Sequence, residues 1–277
     1  MNGFNHNRIQ ELIDKGYNFD VGRYISEGFD IVKKDLGLFI GYTLVAILII
    51  GMASTTAGIL KFLRPESMAF QFIGQLTSQI VTQLIAPPLM AGFLIAAHKL
   101  HKNEILDFGD FFKGFDYYKQ LVIQGLIIMG ITFALFFPII LEFIIMVGFD
   151  INELANLGVT QFAIIGLTGL VLFIVYVYIL VSYLFAPAFI VFGQMEAWEA
   201  LEASRKIVSQ NFFPVLGFTL VLGLLIIAGY LACCVGVLFA LPAIQAAVYC
   251  AFKDIMDFDN PEQGQGRDDI YDHLVDG

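Results

Sequence analysis

Six apolar runs, all but one free of charge, decide what this chain can fold into. They fall at 36–60, 72–97, 120–147, 160–192, 212–233 and 236–252. Each is about 18 residues or longer, the length that crosses a ~30 Å hydrocarbon core as an α-helix. Inside that core every backbone N–H and C=O needs a partner within the protein, which a helix supplies from its own segment. Composition points the same way: 58% of the 277 residues are hydrophobic and 14% are charged, against about 45–50% and about 25% in a soluble domain. An ordinary water-soluble globule is excluded. The expected fold class is all-α, a polytopic membrane protein with about six transmembrane helices. The run 160–192 would be about 50 Å long at 1.5 Å per residue, so it must tilt, bend near Pro187 or project from the bilayer.

Basic residues set the expected orientation. With the N-terminus inside, only Lys61 and Arg64 fall outside, leaving 13 of the 15 Lys and Arg in the cytoplasm, as the positive-inside rule requires. Residues 1–19 are polar, and the first apolar run starts too far in for a signal-peptide core. The chain is therefore expected in an inner (plasma) membrane with both termini cytoplasmic. The net charge is −10. Eight acids against Arg267 after Lys253 account for −7 of it, so the acidity is local to the tail 254–277. That tail reads as a disordered cytoplasmic segment. Ile270, Tyr271, Leu274 and Val275 could form the apolar edge of a protein-docking motif. Cutting the tail after Lys253 is expected to leave insertion intact.

An internal repeat organises the middle. Ile31–Ile50 laid on Ile207–Ile226 matches at Ile31/Ile207, Val32/Val208, Gly41/Gly217, Thr43/Thr219, Leu44/Leu220, Val45/Val221, Leu48/Leu224 and Ile50/Ile226. Each copy follows an amphipathic stretch, 20–30 in the first and 197–206 in the last, and a weaker third copy opens at Asp110. The inferred unit is an amphipathic helix, a span, and a second span carrying proline. Three such units, about 20–102, 107–193 and 196–253, make up a membrane domain over 20–253. Their amphipathic pieces are expected to lie in the cytoplasmic interface, with Trp198, Tyr117, Tyr118, Arg205 and Lys206 as anchors at headgroup level.

The stretch Glu199-Ala200-Leu201-Glu202-Ala203-Ser204-Arg205-Lys206-Ile207-Val208-Ser209-Gln210-Asn211, followed by an apolar hairpin and Leu241-Pro242-Ala243, resembles a broad group of uncharacterised bacterial six-helix membrane proteins. It is also similar to the membrane domain that precedes the catalytic barrel in some glycerophosphodiester phosphodiesterases. The resemblance covers about 20–253 and brings no catalytic residues to this chain. Only 24 residues follow Lys253, too few for a barrel, so phosphodiesterase activity is not implied.

Chemistry-bearing residues are few. Glu142 is the one acid inside an apolar span, and intramembrane carboxylates often serve proton or cation handling. It lies about nine residues, or ~13 Å, from the middle of its span, which favours a reach toward the headgroups. Gln71, Gln75, Gln79 and Gln83 recur at i, i+4 with Ser78 and Thr82 beside them, a polar stripe suited to helix packing or to a water-filled path. His98, His101, Glu104, Asp107 and Asp110 have the residue types of a metal site, but beside Lys99 and Lys102 they read as a hydrated helix end. Three cysteines, Cys233, Cys234 and Cys250, offer no disulfide framework and no metal knuckle. No nucleophile elbow, phosphate-binding loop or dinucleotide fingerprint is present. The expectation is a non-enzymatic structural or accessory component, its partner the lipid bilayer, with no cofactor, no metal and no nucleic acid. The alternatives are a small-solute or ion transporter using Glu142 and the glutamine stripe, and a lipid-active membrane enzyme.

Overall fold

A computed structural model describes residues 9–10, 12, 14, 16–63, 67–147, 158–232 and 235–257. Cys233, Cys234, the loop 148–157 and the tail beyond Asp257 lie outside the described residues. The elements are α1 (Val21–Lys34), α2 (Leu36–Leu63), α3 (Met68–His101), a 3-10 helix (Phe108–Tyr117), α4 (Tyr118–Val147), α5 (Val159–Ser182), α6 (Ala186–Gly193), α7 (Ala197–Gln210), α8 (Phe212–Leu231) and α9 (Val237–Ile255). Among the described residues there is no strand. Among the same residues five helices are long and apolar enough to cross a membrane, and the pair α1 and α2, bent by 95° at their joint, adds a sixth candidate. The protein is all-α and polytopic.

The order amphipathic element, span, span recurs three times. The first and third units agree residue by residue. Asp35 separates α1 from α2 with φ −145 and ψ 61; Asn211 separates α7 from α8 with φ −132 and ψ 45. Past those joints the pattern of exposure is shared. Phe39 and Val215 are buried, as are Tyr42 and Phe218, while Leu44 and Leu220 face outward, as do Leu48 and Leu224. Thr43 donates to the Phe39 carbonyl at 2.7 Å and Thr219 to the Val215 carbonyl at 2.9 Å. Each threonine thereby satisfies its hydroxyl within its own helix, as a polar group in an apolar layer must.

The amphipathic elements bury their apolar faces against the spans. Tyr24, Gly28, Ile31 and Val32 of α1 are buried, and α1 packs along α9. The approach is close enough that a Cβ on Gly28 would lie 2.6 Å from the Ala247 amide nitrogen. The 3-10 helix docks on α3, where the Phe111 carbonyl occupies the place a Cβ on Gly92 would take. Phe111 stacks on Tyr42 with centroids 4.4 Å apart. Helix α7 packs on α6, burying Ala200, Leu201, Ala203, Ile207 and Val208. Amphipathic periodicity states that one face is apolar; here neighbouring helices cover much of that face. The N-terminal segment joins this layer. Leu12 is buried, the Tyr17 hydroxyl donates to the Ile207 carbonyl at 3.3 Å, and the Asn211 amide donates to the Tyr17 carbonyl.

The long fourth run is interrupted near its proline, as expected. It breaks at Tyr183–Phe185, just ahead of α6, whose first turn holds Pro187. Ser204 of α7 fills the gap. Its hydroxyl donates to the Ser182 carbonyl at 2.7 Å and accepts the Phe185 N–H at 3.2 Å. Proline is well placed there, because first-turn amides have no partner within the helix.

Packing is concentrated at one end. In the most apolar 18-residue window of α9, 72% of residues are buried, and in that of α4 none are. The buried core gathers the start of α2, the last turns of α3, the first turns of α4, most of α6, the inner face of α7 and most of α9. The far halves of the spans expose Met52, Phe173 and Leu224 outward. A chain whose helices diverge this way presents those apolar side chains to lipid.

His98 departs from the hydrated helix end expected of it. It is 3% exposed, its Nδ1 lies 2.9 Å from the Tyr249 hydroxyl, and Phe192 flanks its ring at 5.1 Å. The cause is tertiary: α9 crosses the end of α3 and covers it. Asp110 is also buried. It accepts the Asp107 N–H at 2.7 Å and pairs with Lys99 at 2.8 Å and Lys113 at 3.4 Å. Opposite charges and a backbone donor offset the cost of removing that carboxylate from water. Among the described residues no group of three or more His, Cys, Asp and Glu is placed to hold a metal ion.

Candidate functional site

Where the compact end gives way to the diverging halves, α3, α4, α5, α8 and α9 enclose a cavity of about 680 Å³. Its size falls within the ~300–1,000 Å³ of small-molecule sites. Most of the wall is aliphatic, with Phe133 and Tyr176 on one side, and no acidic, basic or histidine side chain takes part. The polar groups are amides, hydroxyls and the thioethers of Met90 and Met129. Gln79 and Gln83 come from α3, Gln124 from α4 and Gln245 from α9.

The local sequence explains how the space arises. Pro87 lies in α3 on the cavity wall and Pro187 in the first turn of α6. Gly125 lets the Gln83 side chain cross α4 closely, since a Cβ there would fall 1.7 Å from Gln83 Nε2. Thr132 and Thr219 turn their hydroxyls back to the Ile128 and Val215 carbonyls at 2.8 and 2.9 Å. Gln245 approaches Met90 Sδ at 3.9 Å, a weak interaction. Among the described residues the side-chain amides of Gln79, Gln83 and Gln124 make no hydrogen bond.

Of the residues singled out in the sequence, Gln79 and Gln83 come together here, while Gln75 and Thr82 of the same stripe are not on the wall. Glu142 is elsewhere. It accepts a hydrogen bond from Thr168 of α5 at 3.4 Å, far along α4 from the amides. Coupling of Glu142 to the glutamines, on which the transporter alternative drew, therefore has no direct contact behind it. Sequence reasoning missed Gln124 and Gln245. Gln245 is a lone amide in its apolar span, whereas Gln124 follows Gln120 at i, i+4, a signal that the sequence offered.

The anchor residues sit on the compact end. Trp198 is 65% exposed and Tyr118 is 41% exposed, while Tyr117 is partly buried. Arg205 makes a two-pronged pair with Glu202 at 2.9 and 2.7 Å, and Lys206 reaches the same carboxylate at 3.5 Å. The hydrogen-bonded Arg205 guanidinium holds the Glu202 carboxyl below its ordinary value. Asp254, at the end of α9, receives the Tyr24 hydroxyl at 2.6 Å and pairs with Arg23 at 2.5 Å.

A family model described as a domain of unknown function (DUF7847) matches residues 113–258. No curated protein and no solved structure matches the chain.

Proposed function

We propose that this chain, which belongs to the family described as a domain of unknown function (DUF7847), is a non-enzymatic, multi-pass component of a bacterial inner membrane that organises lipid or a membrane complex from its cytoplasmic face. One observation carries this reading. Three amphipathic elements close one end of the bundle into a packed cap, and the sequence puts nearly all of its Lys and Arg at that end. Each base near an anionic leaflet contributes about 1 kcal/mol of attraction. The resemblance to bacterial six-helix membrane proteins agrees, and both termini belong on the capped side. Asp254, at the start of the tail, is held to α1 by Arg23 and Tyr24.

The test is lipid dependence. The full chain is placed in nanodiscs of phosphatidylcholine alone and of phosphatidylcholine with one-fifth phosphatidylglycerol. Anionic lipid should raise the midpoint of thermal unfolding, and the double substitution Lys119→Gln/Lys206→Gln, at two exposed bases, should shrink the rise. A midpoint indifferent to anionic lipid overturns the reading.

A further inference from the structure

We infer that the cavity among α3, α4, α5, α8 and α9 is a binding site for an uncharged lipid that carries a hydroxyl or carbonyl oxygen. The cavity shares wall residues such as Leu94, Leu121 and Val248 with the packed core, but among the described residues no Lys or Arg on which the role above rests lines it, so different substitutions test the two.

The lining selects against charge. Among the described residues twenty-three face the cavity, and none of these is Asp, Glu, Lys, Arg or His. A phosphate or an ammonium group entering it would lose its water and gain no counter-charge, which is strongly unfavourable. The same lining demands hydrogen bonds. The amides of Gln79, Gln83 and Gln124 have none among the described residues. Gln79 is exposed and Gln83 half-buried, but Gln124 is 6% exposed with its side chain on the cavity wall, and an amide in so buried a place is rarely left without a partner. A ligand with oxygen at one end and an apolar body at the other meets both conditions.

The repeat shows where the space comes from. Six residues after its first residue, α2 carries Tyr42 and α8 carries Phe218, both fully buried in the core. At the same place in α4 stands Gln124, 6% exposed, on the cavity wall. The middle unit thus has a shorter polar side chain where its sister units have a ring. At 1.5 Å per residue Gln124 lies about 9 Å inward from Tyr118, below the headgroups, at the level where an acyl ester or a terminal hydroxyl would reside. Entry from the bilayer is open, since Gln79 is exposed and Phe133 on the wall is 48% exposed.

Photoreactive lipids test the site on the full chain in phosphatidylcholine nanodiscs, with cross-links mapped by peptide mass spectrometry. Three probes are compared: a diacylglycerol, a phosphatidic acid with the same acyl chains, and a long-chain isoprenoid alcohol. At least one uncharged probe should label wall peptides of α4 or α8 about fivefold or more above phosphatidic acid. Whichever uncharged probe labels identifies the body the cavity accepts. Gly223→Phe should cut that labelling about tenfold, because a Cβ at this wall position meets nothing within 4 Å and the ring can enter the cavity. Gly217→Phe, equally unobstructed but off the wall, should leave labelling unchanged. Gln124→Leu conserves volume and should also reduce labelling, so a folding defect in Gly223→Phe would not remove the test. Equal labelling by phosphatidic acid, absence of labelling by both uncharged probes, or labelling indifferent to Gln124→Leu overturns the site.

Discussion

Single residues decide how closely the cap can pack. Gly28 is the sharpest case, because the atoms in the way of a side chain are backbone: the Ala247 nitrogen at 2.6 Å, the Ala247 Cα at 2.8 Å and the Ala243 carbonyl at 3.0 Å. Backbone cannot rotate aside as a long side chain can, so α1 would have to lift from α9. Gly28→Ala should lower unfolding stability by about 1–3 kcal/mol, the usual cost of overpacking. Gly37→Ala is the control, since a Cβ there meets nothing within 4 Å. It should be neutral or slightly stabilising, as alanine favours helix over glycine. Thermal unfolding in one detergent reads both, and equal midpoints for the two variants would contradict the close approach of α1 and α9.

At the scale of elements, the joints matter more than the helix interiors. The break between α5 and α6 leaves a carbonyl and an amide without helical partners, and Ser204 serves both. Ser204→Ala would strand them in a fully buried place. A loss of about 1–3 kcal/mol is expected, with Ser209→Ala, whose exposed hydroxyl bonds only the Lys206 carbonyl, close to wild type. No difference between the two would show the break to be held by packing alone. These joints also mark what the sequence made legible. The spans could be read because charge is intolerable in hydrocarbon over ~20 residues, and the aligned joints at Asp35 and Asn211 follow from the matched repeat. The partner of each amphipathic face could not be read, because periodicity distinguishes apolar from polar and not protein from lipid. For the same reason His98, flanked by Lys99 and His101, gave no sign that α9 would cover it. The cavity was half legible. Gln79 and Gln83 stand out by their i, i+4 spacing, and Gln120 and Gln124 share it, whereas Gln245 is alone on its helix, and that these helices bring their amides to one cavity is decided only in three dimensions.

The whole molecule divides into a tight end and an open one, and the last turn of α9 belongs to the tight end. Ile255 and Met256 are buried in the core, and Asp254 binds Arg23 and Tyr24. Truncation after Lys253, expected from the charge boundary to leave insertion intact, nevertheless removes residues of the packed core. Ending the chain after Asp257 should keep the thermal midpoint of the full protein, and ending it after Lys253 should lower it by several degrees, as follows when about 1 kcal/mol or more is lost. Fluorescence-detected size exclusion after heating separates the cases, and identical melting of the two truncations would detach this turn from the core. The uneven packing has a mechanical side as well. Helices interlocked at one end and sparsely covered at the other do not yield alike: local opening should begin where buried contacts are few, in the α4 window with no buried residue, and reach the α9 end last.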